Sequence, residues 1–206
     1  MKRSVEPKND LKISQHQQEK CQQFQQNSPK EQALLFIGDS IIEFFPLKKF
    51  LGQNLNLVNH GIAGISANWL SEHVQEVLGQ QNPNKIFLLI GTNDIGMGYA
   101  LDEIIGHIEK IINELRIHAY GSSISLISIL PVNESPDYQA KVKIRRNNTI
   151  RALNHRLENL VGIEFINVYG ALLDNLGQLA EPYTQEGLHL TQEGYEQLAR
   201  ALKLYL

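Results

Sequence analysis

Residues 34–41 read Leu-Leu-Phe-Ile-Gly-Asp-Ser-Ile, and this stretch decides how the rest of the chain is interpreted. The apolar run predicts a buried strand, and the apolar residues after Ser40 predict that the chain turns directly into a helix. Ser40 then lies at the carboxyl end of a strand, where open parallel α/β sheets bind their ligands, and it could act as a nucleophile. Because Gly-Asp-Ser is also ordinary turn chemistry, only partners from distant parts of the chain can favour catalysis.

Apolar segments typical of strands alternate with helical patterns after Ala33. Strands are predicted near residues 33–38, 56–60, 85–90, 123–130 and 163–168, and the last helix near residues 192–204. Between them, apolar residues recur at helical spacing from Leu101 to Leu115 and more loosely from Val142 to Leu160. This alternation predicts an α/β fold with a doubly wound sheet, in which all strands are parallel and helices cover both faces.

Polar and glycine-rich segments follow the predicted strands. Asn59–Gly64 comes after the second strand, Gly91–Asp94 comes after the third, and Glu186–Thr191 precedes the last helix. In a parallel sheet these segments meet at the edge that also carries Ser40. We therefore expect a serine, two glycines, an asparagine and a histidine to share one crevice.

The expected crevice contains the groups that nucleophilic catalysis requires. His189 can take the proton of the Ser40 hydroxyl, and a carboxylate on the other ring nitrogen would fix the imidazole tautomer. Glu186, three residues upstream, is within local reach of that nitrogen. The N–H groups of Ser40 and Gly64 and the side-chain amide of Asn93 would supply three oxyanion donors. Removing one such donor typically lowers the rate about 10²- to 10³-fold.

Four segments, in order, carry a resemblance to a known family. Gly38–Ser40, Asn59–Gly64, Gly91–Asp94 and Gly187–Leu190 resemble the four sequence blocks of the SGNH hydrolase superfamily, also called GDSL-type esterases and lipases. The resemblance extends from about residue 33 to the C-terminus, and the chain is most similar to small acetylhydrolase-like members. It implies a flavodoxin-like three-layer α/β/α sandwich with a five-stranded parallel sheet.

The resemblance also implies roles for individual residues. Ser40 would be the nucleophile, His189 the general base, and Ser40, Gly64 and Asn93 the oxyanion hole. The chain departs from the family at Glu186, because the family usually has an aspartate three residues before the histidine. Glu186 could orient the imidazole directly, or a backbone carbonyl could hold it instead. We expect activity to be retained, although the extra methylene could reduce it.

These features predict a serine hydrolase that acts on carboxylic ester bonds. The leading hypothesis is hydrolysis of a short-chain ester, with acetyl as the expected acyl group, through an acyl-enzyme intermediate, as in a carbohydrate O-acetylesterase or an acetylhydrolase. One alternative is a lysophospholipase or thioesterase-type lipid hydrolase, and another is a catalytically weak binding module on the same fold. Nucleotide binding is disfavoured because the chain lacks a Gly-x-Gly-x-x-Gly turn and a Gly-Lys-Ser/Thr motif.

Composition excludes several other classes. The 206 residues are 42% hydrophobic and 20% charged, with a formal net charge of -3, which gives no sign of nucleic-acid binding. No run is apolar enough for a membrane span and no secretory segment is recognised, so we expect a cytoplasmic protein that acts on a small-molecule ester. His60 is expected to be structural, and no histidines show metal-ligand spacing, so no metal or cofactor is predicted. A lone cysteine, Cys21, excludes an internal disulfide framework.

Several residues outside the expected triad and oxyanion hole are assigned supporting roles. Asp39 and Asp94 are expected to support the site by capping helices and holding loops. Trp69 could line an acyl or sugar pocket or pack in the core, and the segment Pro131–Ala140 is expected to overhang the crevice. Four arginines are assigned to the solvated face of one helix: Arg145, Arg146, Arg151 and Arg156.

The chain divides into a polar segment and one domain. Residues 1–30 are rich in glutamine, and residues 31–206 form the expected SGNH hydrolase domain. A helix is favoured over Asp10 to Gln26. It could pack on the domain, serve as an arm in a homodimer, or be partly disordered, and the sequence does not decide among these.

Overall fold

The computed structural model describes the backbone of residues 10–206 and the side chains of residues 14–206, so residues 1–9 of the polar segment lie outside the described residues. The strands are β1 (Leu34–Gly38), β2 (Leu57–Gly61), β3 (Lys85–Leu89), β4 (Ser123–Ile127) and β5 (Glu164–Ile166). The longer helices are α1 (Asp10–Gln26), α7 (Leu101–His118), α9 (Asn147–Leu157) and α10 (Gln192–Leu202). The shorter helices are α2 (Ser40–Glu43), α3 (Leu47–Phe50), α4 (Ala67–Glu72), α5 (Val74–Leu78), α6 (Thr92–Met97) and α8 (Gln139–Val142).

The five strands form one parallel sheet in the order β2-β1-β3-β4-β5. β1 pairs with β2 on one side and with β3 on the other, so the direction of winding reverses at β1. Ligands bind such folds beside the carboxyl ends of the strands at this reversal. The α/β class and the five-stranded parallel sheet are therefore confirmed, and β1 places Ser40 at the expected edge.

Both faces of the sheet are buried, which explains the uninterrupted apolar runs of its strands. Leu35 and Ile37 of β1 belong to one core and Phe36 belongs to the other, and each is at most 1% exposed. The first core lies under α1, α4, α5, α7 and α9. The second core lies under α2, α3 and α10. The result is the three-layer sandwich that the resemblance implies.

β4 is shorter than the sequence predicts. The apolar segment 123–130 suggests a longer strand, but β4 ends at Ile127 because β5 is only three residues long and pairs with Ser125–Ile127. The following backbone stays buried and bonds to side chains of α9 instead. Ile129 N–H donates to Asn154 Oδ1 at 2.8 Å, and Val132 N–H donates to Asn147 Oδ1 at 3.0 Å.

The helical pattern after Val142 is interrupted. Val142 ends α8, Lys143 adopts φ 58°, and α9 begins only at Asn147. Arg145 lies in this connection and is 6% exposed, so its assignment to a solvated helix face is wrong. The other three arginines of that set are exposed.

α1 lies against α5 on the outside of the first layer. Its Phe24 is 2% exposed and stacks on the imidazole of His60, with 3.9 Å between ring centroids. The segment that follows α1 is also held against the domain, by the side chain of Gln81. This side chain accepts a hydrogen bond from Lys30 N–H and donates one to Ser28 O. Among residues 10–206, no helix combines the length and the apolar character that a membrane span requires.

Candidate active site

Five residues proposed from separate segments line one cleft at the carboxyl edge of the sheet. Ser40 is the first residue of α2, Gly64 lies in the loop after β2, and Asn93 is the second residue of α6. Glu186 and His189 come from the loop before α10. The cleft has a volume of about 920 Å³. The topology thus brings together all the residues that the sequence assigns to the triad and the oxyanion hole.

The serine, the histidine and the glutamate form a continuous hydrogen-bonded chain. Ser40 Oγ lies 2.9 Å from His189 Nε2, and His189 Nδ1 lies 2.8 Å from Glu186 Oε2. Because a carboxylate only accepts, Nδ1 carries the proton and Nε2 accepts from the Ser40 hydroxyl. Glu186 Oε1 also accepts the backbone N–H of His189 at 2.7 Å. Of the two alternatives that the sequence leaves open, the carboxylate rather than a backbone carbonyl holds the imidazole.

The Glu186 carboxylate is kept charged by its surroundings. Partial burial raises its pKa, but the hydrogen bonds from His189 and the charge of Lys141 outweigh burial, so the pKa lies below its ordinary value. Lys141 Nζ lies 3.5 Å from Glu186 Oε2. A charged carboxylate on Nδ1 stabilises the imidazolium that forms when Nε2 takes a proton.

The loop that carries Glu186 and His189 has a tightly defined shape. Gly187 adopts φ 85°, and a Cβ there would lie 2.6 Å from Tyr138 Cβ, so only glycine fits. Thr184 Oγ1 accepts the Gly187 N–H at 2.9 Å and donates to His189 O at 2.8 Å. The loop therefore presents the carboxylate and the imidazole as one unit.

Three residues that line the cleft have an N–H donor that can be used by a ligand. Ser40 begins α2, where a backbone N–H has no intrahelical acceptor. Gly64, at φ 84°, donates its N–H to no acceptor among the described residues. Asn93 Nδ2 donates one hydrogen to Ile65 O at 2.9 Å, which leaves its second hydrogen for a ligand. These donors can stabilise an oxyanion that forms beside Ser40 Oγ.

The two flanking aspartates hold the site from within. Asp39 is fully buried, and its Oδ1 accepts the Ile41 N–H at 2.9 Å at the start of α2. Burial raises the pKa of Asp39 to about 7. Asp94 Oδ2 accepts the Ala67 N–H at 2.8 Å, and its Oδ1 accepts the Asn68 N–H at 3.3 Å. Asp94 thus ties α6 to the first turn of α4.

Sequence reasoning missed Arg145. Its Nη2 donates to Asn93 Oδ1 at 3.2 Å, and its Nε donates to Thr92 O at 2.8 Å. The guanidinium lies against Gly96, where any Cβ would overlap it. Nothing local marks this arginine, because its partners belong to α6, about fifty residues earlier in the chain. Arg145 therefore holds the side-chain oxygen of Asn93, while the backbone carbonyl of Ile65 holds its side-chain nitrogen.

The rest of the cleft wall is formed by residues other than the expected segment Pro131–Ala140. The segment Pro131–Ala140 does not line it, and residues just after that segment do, among them Lys141 and Lys143. Phe44 and Met97 lie at the mouth and are 52% and 57% exposed. Trp69 is not part of this wall, because it stacks on His73 with 4.1 Å between ring centroids and packs against the first core.

Comparisons with known proteins agree with this geometry. The family model described as GDSL-like Lipase/Acylhydrolase family matches residues 36–197. A solved structure of a candidate platelet activating factor from Streptococcus pneumonia is 37% identical, with a TM-score of 0.90, and the match covers 95% of each chain.

Two curated proteins are also similar. N-acylneuraminate cytidylyltransferase from Escherichia coli is 30% identical over 165 residues, which is 79% of this chain but only 37% of that protein. The chain therefore spans little more than a third of the length of this relative. Platelet-activating factor acetylhydrolase IB subunit alpha2 from Rattus norvegicus is 23% identical over 177 residues, which is 84% of this chain and 75% of that protein.

Proposed function

We propose that this chain, which belongs to the GDSL-like lipase/acylhydrolase family, is a serine esterase that removes a short acyl group, with acetyl as the preferred one. Ser40 is the nucleophile, His189 the general base and Glu186 the residue that orients it. The observation that carries this proposal is the chain of contacts of 2.9 Å and 2.8 Å from Ser40 Oγ through the imidazole to the Glu186 carboxylate.

The reaction proceeds in two halves. Ser40 Oγ attacks the ester carbonyl carbon while its proton passes to His189 Nε2, and the imidazolium then protonates the departing alcohol. In the second half, His189 takes a proton from water as the water attacks the acyl-serine. The tetrahedral intermediate collapses, the proton returns to Ser40 Oγ, and a carboxylic acid is released.

The oxyanion of both intermediates is bound by the N–H groups of Ser40 and Gly64 and by Asn93 Nδ2. Losing one such donor costs about 10²- to 10³-fold in rate. Arg145 is a positioning residue in this scheme, because it holds the Asn93 carbonyl oxygen and so keeps the amide nitrogen toward the cleft. Its positive charge also favours negative charge that develops nearby.

The preference for a short acyl group is supported by similarity to an acetylhydrolase and by the short connections around the cleft. Only Asp39 separates β1 from α2, and two residues separate β3 from α6, so neither of these two connections has room for an inserted lid. A lipid ester hydrolase is the second candidate. The exposed side chains of Phe44 and Met97 at the mouth favour it, because an apolar chain could cover them.

The test is turnover of para-nitrophenyl acetate, butyrate and octanoate by the wild type and by Ser40→Ala. We expect activity that falls with acyl length and that Ser40→Ala reduces by at least about 10³-fold. Ser123→Ala, at the exposed start of β4, is the matched control and should retain full activity. A preference for octanoate would favour the lipid hydrolase. Turnover that survives in Ser40→Ala, or a wild type that neither turns over these esters nor reacts with a fluorophosphonate, would contradict the proposal.

A further inference from the structure

Glu43 connects the nucleophile helix to the loop that carries Gly64. It is the last residue of α2, and its side chain is 11% exposed. Its Oε2 accepts the Ala63 N–H at 2.5 Å, one residue before Gly64. The close approach depends on Gly61 at the end of β2, because a Cβ there would overlap the Glu43 backbone. The Glu43 carboxylate therefore fixes the peptide that leads directly into an oxyanion donor.

The same carboxylate is held by the N-terminal helix. Lys20 Nζ lies 2.9 Å from Glu43 Oε1, and His16 Nε2 lies 3.0 Å from Glu43 Oε2. Burial raises the pKa of Glu43, but the hydrogen bonds from His16, Lys20 and the Ala63 N–H outweigh burial and lower it. The carboxylate thus stays charged while both of its oxygens are engaged.

α1 is held against the domain by contacts of its buried residues. Phe24 is buried against His60, and Cys21 also belongs to the first core. The Phe24 carbonyl lies so close to Gly79 that a Cβ there would overlap it. This packing places Lys20 and His16 beside Glu43 of α2. His16 reaches the wall of the catalytic cleft itself.

We propose that α1 is a working part of the oxyanion hole, because Lys20 and His16 hold the Glu43 carboxylate on the Ala63 N–H and so position the Gly64 N–H. Without Lys20 the carboxylate would lose its counter-charge while it is partly buried, and it would turn toward water and release Ala63. The inference rests on the proposed function for its catalytic consequence, but the contact itself can be tested without turnover.

The oxyanion donor acts on the tetrahedral intermediate and only weakly on the bound ester. A displaced Gly64 N–H should therefore lower kcat and leave KM nearly unchanged. Because complete loss of one donor costs about 10²- to 10³-fold, a displaced donor should cost about 10- to 100-fold. A role of α1 confined to stability would instead lower Tm without this selective loss in kcat.

The experiment compares Lys20→Gln with Lys20→Arg and Glu19→Gln, using para-nitrophenyl acetate. Lys20→Gln should lower kcat about 10-fold relative to the wild type, with KM within about two-fold. Lys20→Arg keeps the positive charge and should therefore keep most of the wild-type kcat. Glu19→Gln lies on the exposed face of α1, where its partner is Gln15, and should behave like the wild type. Glu43→Ala removes the acceptor and should cost more than Lys20→Gln does.

A second readout is amide hydrogen exchange at Ala63, measured by NMR. Lys20→Gln should accelerate exchange at this N–H about 10-fold and leave the amides of β3 unchanged. Unchanged exchange at Ala63, or a Lys20→Gln variant with the kcat of the wild type, would overturn the inference even if Ser40-dependent turnover is present. A wild type without such turnover would contradict the proposed function, and the Ala63 exchange would then decide the positioning claim alone.

Discussion

At the scale of single residues, Glu186 does two tasks at once. Its carboxylate accepts both the Nδ1–H and the backbone N–H of His189, so it fixes the ring and the loop that carries the ring. Both contacts are made across three residues of the chain, and Lys141 balances the charge from the cleft wall. The departure from aspartate is therefore compatible with a working triad.

We predict that Glu186→Gln lowers kcat on para-nitrophenyl acetate about 10²- to 10⁴-fold, because a neutral amide neither stabilises the imidazolium nor enforces the tautomer. Glu186→Asp keeps the charge but shortens the reach, so it should lose less activity. The measurement is kcat for the three proteins together with Tm, which separates loss of catalysis from loss of the loop. Full kcat in Glu186→Gln would show that the carboxylate charge is unnecessary.

At the scale of elements, the connection between α8 and α9 places the guanidinium of Arg145 against α6. Lys143 reverses the chain at φ 58°, and Arg145 then enters the interior and bonds to Thr92 O and Asn93 Oδ1. The space for its guanidinium exists only because residue 96 of α6 has no side chain. The orientation of the Asn93 side-chain amide therefore depends on how this connection packs against α6 as well as on Asn93 itself.

This packing predicts that Gly96→Ala lowers kcat about 10- to 100-fold, because the new Cβ displaces the guanidinium and frees the Asn93 side chain. KM should change little. Gly106→Ala is the matched control, since a Cβ at this exposed position of α7 meets nothing within 4 Å. That control should keep full activity and stabilise the fold by about 0.5–1 kcal/mol, measured by urea unfolding. Equal kcat in the two variants would refute a role for Arg145.

The elements also show what sequence can predict here. Buried parallel strands are apolar on both faces, so their segments are recognisable, and the polar residues that follow them mark the site. The predicted strand 123–130 extends beyond β4 because Ile129 and Leu130 continue the apolar run, whereas the Ile129 N–H donates to the side chain of Asn154 rather than to a neighbouring strand. Arg145 was misplaced because helical periodicity does not reveal a break at Lys143. Such contacts depend on side chains from remote elements, which no local pattern encodes.

At the scale of the whole molecule, α1 and the sheet are joined through a buried histidine. His60 is fully buried, its Nδ1–H donates to Val77 O at 2.6 Å, and its ring stacks on Phe24. Burial lowers the pKa of His60 from its ordinary value of 6.5 to about 4. The imidazole is therefore neutral in the folded protein above about pH 4.

We predict that this histidine destabilises the fold in acid. Below pH 6.5 the unfolded chain binds a proton at His60, whereas the folded chain does not until about pH 4. The free energy of unfolding should therefore fall by about 3 kcal/mol as pH is lowered from 6.5 to about 4. Above pH 6.5 His60 is neutral in both the folded and the unfolded chain, so none of this stability is lost there.

The measurement is urea unfolding at pH 7 and pH 4.5 for the wild type and His60→Gln, whose amide can still donate to Val77 O. The variant should lose less stability between the two pH values than the wild type does. His155→Gln, at an exposed position of α9, controls for general effects of removing an imidazole. If His60→Gln and the wild type show the same difference, the protonation of His60 does not govern acid unfolding.

The hydrogen bond between Ser40 and His189 joins residues that are 149 positions apart. A ribosome adds about 5–20 residues per second, so His189 is synthesised roughly 7–30 s after Ser40. Throughout that interval the nascent chain carries a serine without a base. Under the proposed function, a fragment released before residue 189 would therefore not hydrolyse esters, because the last loop of the site must be synthesised and fold back onto the first.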